Sequence, residues 1–157
     1  MQALAMDTEL HEDVKEAIQL LKKSDSSLKK WFNGSHGYAV FPEVMKGAIG
    51  IGGAYGEGQV FEKGKLIGTA SLSQVTLGVQ LGGQEYIQVI FFEGKKALES
   101  FKAGNFELSA QASAVAAADG AAANAKYELG VAIFTLARGG LMFEASVGGQ
   151  KFEFLPK

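Results

Sequence analysis

The sequence predicts an α+β fold, and three observations carry that prediction. Apolar residues recur at helical spacing as far as Phe32, they recur at every second position from Gly37 onward, and glycine-centred turn signals cut the second part into short runs. The 157 residues fit one domain, residues 1–157, with a helical segment over 7–32 and a sheet over 36–157 interrupted by a helix near 95–103. A chain of this length buries roughly two-thirds of its unfolded surface, enough for a core without disulfide or metal staples.

The helix comes first. Leu10, Val14, Ala17, Ile18 and Leu21 share one face, while Glu9, Glu12, Asp13, Glu16, Lys22 and Lys23 fall mostly elsewhere. Asp7 or Thr8 can cap its start, with acids in the early turns and lysines in the last, as the helix dipole prefers. Ser24-Asp25-Ser26-Ser27 ends it, Leu28 to Phe32 make a short second helix, and Asn33-Gly34 stops that one.

The strands follow. Val75, Leu77, Val79 and Leu81 alternate with polar or small residues, and so do Phe152 and Phe154, as strands with one buried face do. Tyr86 to Phe92 and Leu129 to Leu136 are apolar at nearly every position, which places them mid-sheet and covered on both sides. Lys63-Gly64-Lys65, Gly82-Gly83, Asp119-Gly120 and Gly139-Gly140 are turns. Lys95 to Lys102 sets Ala97, Leu98 and Phe101 on one face and runs into Gly104-Asn105, a short helix with its stop. Gly-Gly-Gln recurs at 82–84 and 148–150, two similar bends in one curved sheet. The alanine-rich stretch Ala110 to Lys126 supports two readings, a helix by propensity or a hairpin of small-residue strands around Asp119-Gly120.

Composition narrows function. With no cysteine, disulfides, thiolate nucleophiles and Cys-ligated zinc are excluded. A net charge of −2 and a pI near 5.7 lack the overall basic field of a nucleic-acid binder, so no nucleic acid is expected and an anionic partner must be met by a local patch. No run approaches the roughly eighteen apolar residues of a spanning helix. Ala3-Leu4-Ala5 has the shape of a signal-cleavage remnant; a leader removed upstream would place the protein in the periplasm or at the envelope, and its absence in the cytoplasm, peripheral to a membrane.

The block Phe41 to Gly58 has the look of a phosphate loop and fails its tests. A dinucleotide fingerprint from Gly50 finds Gly52 but then Tyr55 where the third glycine belongs, and Gly64-Lys65 is followed by Leu66 where a P-loop needs Ser or Thr. What remains is a glycine-dense strand, whose missing side chains permit bulges and close backbone approach.

Three segments of the chain resemble the SYLF domain, a lipid-binding family of bacterial envelope proteins and of eukaryotic membrane and actin regulators. The first is Phe41-Pro42, Val44, Lys46, Gly50-Ile51-Gly52-Gly53 and Tyr55-Gly56-Glu57-Gly58; the second is Leu77 to Gln84; the third is Gly140-Leu141 with Ser146 and Gly149. The chain departs from the family pattern at Gly47-Ala48 and at Glu144. The resemblance implies a helix beside a strongly curved, barrel-like, mainly antiparallel sheet, with residues 106–137 as strands. It also implies peripheral binding to anionic phospholipid membranes and brings no catalytic residues and no cofactor.

Such binding needs cations beside apolar tips. Lys22, Lys23, Lys29 and Lys30 lie close in sequence to Trp31-Phe32, so either the aromatics insert shallowly among lipid headgroups or they pack on the sheet while the lysines solvate the helix end. Lys46 and Arg138 could clamp one phosphate if curvature brings them together; otherwise they are solvent-facing or ion-paired. Two further readings are a scaffold that binds a protein partner and a carrier holding an acyl chain inside the barrel, though Phe91, Phe92 and Phe134 argue for a filled interior. Enzyme readings are poor. His11 and His36 lack metal-ligand spacing and read as surface residues, Ser146 lacks the first glycine of a nucleophile elbow, and Glu57 reads as a hydrogen-bonded turn residue. No metal site is expected.

Overall fold

The computed structural model describes residues 2–46, 54–74, 85–104, 114–116, 122, 125–137, 140–144 and 150–157. In chain order the elements are α1 (Gln2–Ser24), α2 (Leu28–Gly34), β1 (Gly37–Lys46), β2 (Ala54–Glu62), β3 (Lys65–Gln74), β4 (Glu85–Phe92), α3 (Lys95–Lys102), β5 (Ala114–Ala116), β6 (Val131–Ala137), β7 (Gly140–Glu144) and β8 (Gln150–Pro156). The described strands form one sheet, ordered β5-β7-β6-β4-β1-β2-β3-β8, and every neighbouring pair is antiparallel. The fold is α+β, as its periodicity predicts.

The barrel expectation is corrected. Among the described residues β5 and β8 are the sheet's two edges and do not pair with each other, so the sheet is open. It is nevertheless curled. Phe41 on β1 and Phe152 on β8 are three strand spacings apart, roughly 14 Å on a flat sheet. Their ring centroids lie only 5.9 Å apart. Phe101 of α3 fills the hollow of that curl, 5.1 Å from both Phe92 and Phe152.

The continuous apolar runs are central strands, for the reason the pattern suggests, except at the start of the second, where Leu129 and Gly130 form a turn ahead of β6 and Leu129 is exposed and not covered. On β1, β4 and β6 alternate residues serve two cores: Ala39, Phe41, Ile90, Phe92, Val131 and Ile133 face α3, and Val40, Val89, Phe91, Ala132 and Phe134 face α1 and α2. Val14, Ala17 and Leu21 bring the buried stripe of α1 onto the second face. Burying a valine or leucine there stabilises the fold by about 1.5–3 kcal/mol each.

The Phe41-Pro42 part of the glycine motif is a β-bulge. Register slips by one residue between Val40 and Glu43 against β2, and between Phe41 and Val44 against β4, so β1 carries one extra residue seen from both sides. Proline, having no N–H, is tolerated at such a break. Gly58 lies opposite, where an added Cβ would sit on the Val40 carbonyl oxygen and 2.7 Å from the Phe41 ring. Its glycine permits close backbone approach inside a strand.

Several boundaries differ from expectation. The first helix continues back to Gln2, so Asp7 and Thr8 lie within it and not at its start. The turn at Lys63-Gly64 is present, with both residues at positive φ. Within 106–137, β5 and β6 are strands while Ala122 is helical, so strands do not run throughout that stretch. Gly50 to Gly53, the alternating run Val75 to Leu81, Gly82-Gly83, Asp119-Gly120, Arg138-Gly139, Ser146 and Gly148-Gly149 lie outside the described residues.

Candidate functional site

The corner between α1 and α2 holds the four sequence-adjacent lysines. Asp25 shapes this corner: its buried carboxylate accepts the backbone N–H and hydroxyl of Ser27 and, 97 positions along the chain, the N–H of Ala122 at 3.1 Å. Trp31 then donates its indole N–H to the Ala122 carbonyl at 2.7 Å. Its ring packs against Tyr127, Phe134 and Phe91 with centroids 4.8, 5.3 and 5.5 Å away. Of the two places open to Trp31-Phe32, the structure takes the packed one.

The lysines divide accordingly. Lys22 sits over the Phe32 ring, 5.2 Å from its centroid, whereas Lys23, Lys29 and Lys30 are exposed and pair with no carboxylate among the described residues. Phe32 in turn meets Tyr38 and Phe91 at 4.9 Å, so this corner sits where β1 begins and β4 ends.

Antiparallel pairing brings more lysines to that same end. Gly37 opposes both Glu62 and Phe92, and Phe92 opposes Val131, so the turn after β2, the start of α3 and the approach to β6 share one end of the sheet. Exposed Lys63 and Lys65 flank that turn, exposed Lys95 and Lys96 open α3, and exposed Lys126 precedes β6. The carboxylates there are fewer: exposed Glu93 and Glu128, the buried Asp25, and Glu62, whose Oε2 is 2.7 Å from His36 Nε2. The hydrogen bond and charge of His36, with help from Lys102 and Lys95, hold Glu62 below its ordinary pKa against the opposing effect of desolvation. Burial, with the charge of Glu93, pushes the Tyr127 phenol up to about 12.

The opposite end is acidic. Glu43 opposes Glu57 across β1 and β2, and Met45, two residues on, opposes Glu85 of β4. A hydrogen bond with Glu85, desolvation, and the charges of Glu85 and Asp13 raise the Glu43 carboxyl above its ordinary value. Among the described residues the two ends of the sheet thus differ in charge, although Lys46 and Lys151 also lie at the acidic one.

The remaining titratable residues are tied into structure. His11 Nδ1 is 2.9 Å from Oε1 of the buried Gln59, joining α1 to β2, and His36 is paired as above, so neither histidine is a free surface group as the sequence suggests. Glu57 accepts from the Tyr55 hydroxyl at 3.2 Å, within a strand and not in a turn. Among the described residues no three His, Asp or Glu converge to hold a metal ion.

Lys22, Lys23, Lys29, Lys30 and Trp31 therefore share one corner, with Trp31 turned inward. Lys46 ends β1 at the acidic end, away from them, and Arg138 lies outside the described residues. Sequence reasoning missed Lys63, Lys65, Lys95, Lys96 and Lys126 because they are scattered along the chain. The signal that could have found them is topological, since alternate turns of an antiparallel meander fall on the same end.

A family model described as "Las17-binding protein actin regulator", Ysc84, matches residues 73–154, just over half of the chain. Among curated proteins the chain is similar to beta cell expansion factor A of Aeromonas veronii, 29% identical over 143 residues, covering 87% of this chain and 52% of that protein. The chain spans about half the length of that relative. Among the described residues no helix is long and apolar enough to cross a membrane, which leaves strand-built spans unaddressed.

Proposed function

The chain belongs to the Ysc84, or SYLF, family, and from that premise we propose that it is a non-enzymatic module that docks peripherally on anionic phospholipid membranes, basic end first. The observation that carries the reading is the gathering of Lys23, Lys29, Lys30, Lys63, Lys65, Lys95, Lys96 and Lys126 at one end of an acidic protein. Near an anionic leaflet each lysine contributes about 1 kcal/mol, and that contribution falls away within a Debye length. Five acting together give about 5 kcal/mol, sub-millimolar binding, and the acidic far end sets orientation by repulsion. Such a module works at a bacterial envelope face or another membrane surface and needs no cofactor.

Vesicle co-sedimentation tests this. Binding to phosphatidylcholine vesicles containing phosphatidylglycerol should weaken steeply with salt. It should fall further when Lys29 and Lys30, or Lys63, Lys65, Lys95 and Lys96, are changed to Glu. Equal binding to vesicles of phosphatidylcholine alone, or no binding, overturns the proposal.

The family's description as a Las17-binding actin regulator favours a second reading, a protein-interaction module. A partner with an acidic surface would meet the same lysines, and retention of that partner by a chain that ignores vesicles would select this reading. The acyl-carrier reading loses support from the packing of Phe41, Phe92, Phe101 and Phe152, whose rings occupy the hollow of the curl.

A further inference from the structure

Leu129 is held where leucine is doubly unfavourable. It forms a two-residue turn with Gly130, both left-handed at φ 52° and 83°, a conformation glycine adopts freely, asparagine tolerates and leucine adopts rarely and at an energetic cost. It is also 86% exposed, more than Leu155 at 68%, Met45 at 48% or Leu20 at 46%. An apolar side chain kept in water by a strained backbone marks a position to be explained by function.

The turn is firmly tied. Glu128 and Val131 exchange backbone hydrogen bonds at 2.8 and 3.0 Å, and the Glu93 N–H donates to the Gly130 carbonyl at 2.9 Å. Gly130 packs so close to α3 that an added Cβ would lie 3.2 Å from the Ala97 side chain. That contact sets Leu129 beside the first turn of α3, with exposed Lys95 and Lys96, while exposed Lys126 precedes it by three residues. These cations outnumber the neighbouring Glu93 and Glu128.

We infer that Leu129 is the apolar tip that enters the headgroup region of an anionic bilayer, with Lys95, Lys96 and Lys126 on the surrounding phosphates. This deepens the membrane reading above and rests on it. A projecting apolar group with exposed lysines on the segments that flank it suits an interface that is charged outside and apolar beneath, where lysine stems can follow the tip inward while their ammonium groups stay wet.

The chain has no cysteine, so Leu129→Cys offers a unique labelling site, and Met45→Cys at the acidic end serves as the control. With an environment-sensitive fluorophore at each position, vesicles of phosphatidylcholine and phosphatidylglycerol should shift the emission at position 129 to the blue and allow quenching by spin-labelled lipid. The label at position 45 should stay in water. Unlabelled Leu129→Asn, which fits the left-handed turn, should fold at least as stably as the parent and bind these vesicles about tenfold more weakly, the change expected from burying most of one leucine side chain. If the parent binds but the label at 129 stays wet and Leu129→Asn binds equally, the inference falls and the membrane reading stands. If the parent does not bind anionic vesicles, both fall.

Discussion

Trp31 and Ala122 are joined by a 2.7 Å hydrogen bond from the indole N–H to a backbone carbonyl, and Asp25 takes the N–H of the same buried residue. Both backbone polar groups of Ala122 are thus satisfied by side chains from the corner between α1 and α2. That corner is a clamp on a distant segment as well as a carrier of lysines.

Trp31→Phe should therefore act on stability and spare vesicle binding. It strands a buried carbonyl, which costs about 1–3 kcal/mol, and leaves the exposed lysines in place. Urea denaturation should show the loss while the folded variant binds anionic vesicles as the parent does. Weakened binding at unchanged stability would return Trp31 to the lipid surface.

Gly58→Ala tests the close approach at the bulge. The new methyl group would meet the Val40 carbonyl and the Phe41 ring. Overpacking of this kind costs about 1–3 kcal/mol or more. Gly34→Ala has open space within 4 Å and no positive φ, and thermal melts of the two variants should show it neutral or slightly stabilising while Gly58→Ala melts lower than the parent.

Glu85→Gln should stabilise the protein near neutral pH. The Glu43 carboxyl is held above its ordinary pKa by Glu85. A raised carboxyl contributes stability that is present below its unfolded pKa and lost as pH rises through the folded one, so at neutrality the pair is a liability. The advantage of the variant, read from denaturant midpoints across pH, should shrink as pH falls below the carboxylate range; a constant advantage would point to another cause.

Glu62→Gln should behave in the opposite sense. His36 lowers the Glu62 carboxyl, so its contribution is complete above the ordinary glutamate pKa and disappears as pH falls through the lowered value. The variant should be the less stable protein at neutral pH and should converge with the parent in acid. Curves that stay parallel would remove His36 as the cause.

Much of the fold is legible in the sequence because local periodicity and burial agree. The stripe through Val14, Ala17 and Leu21, the doubly buried runs of β4 and β6, and α3 at Lys95–Lys102 all follow from side-chain spacing. Sequence reading goes astray where a distant partner decides, as with Trp31, whose hydrogen-bonding partner lies 91 residues away, and His36, whose partner Glu62 lies 26 away.

Composition and period by themselves determined an α+β protein with a helical start, a filled interior and no cysteine chemistry, since these depend only on residue type and short-range spacing. Only the tertiary structure decided that the sheet is curled but open among its described strands, that scattered lysines meet at one end, and that Leu129 is held exposed in a left-handed turn packed on α3. Those outcomes depend on which strands pair and in what register, a cooperative choice made by packing between residues far apart in the chain.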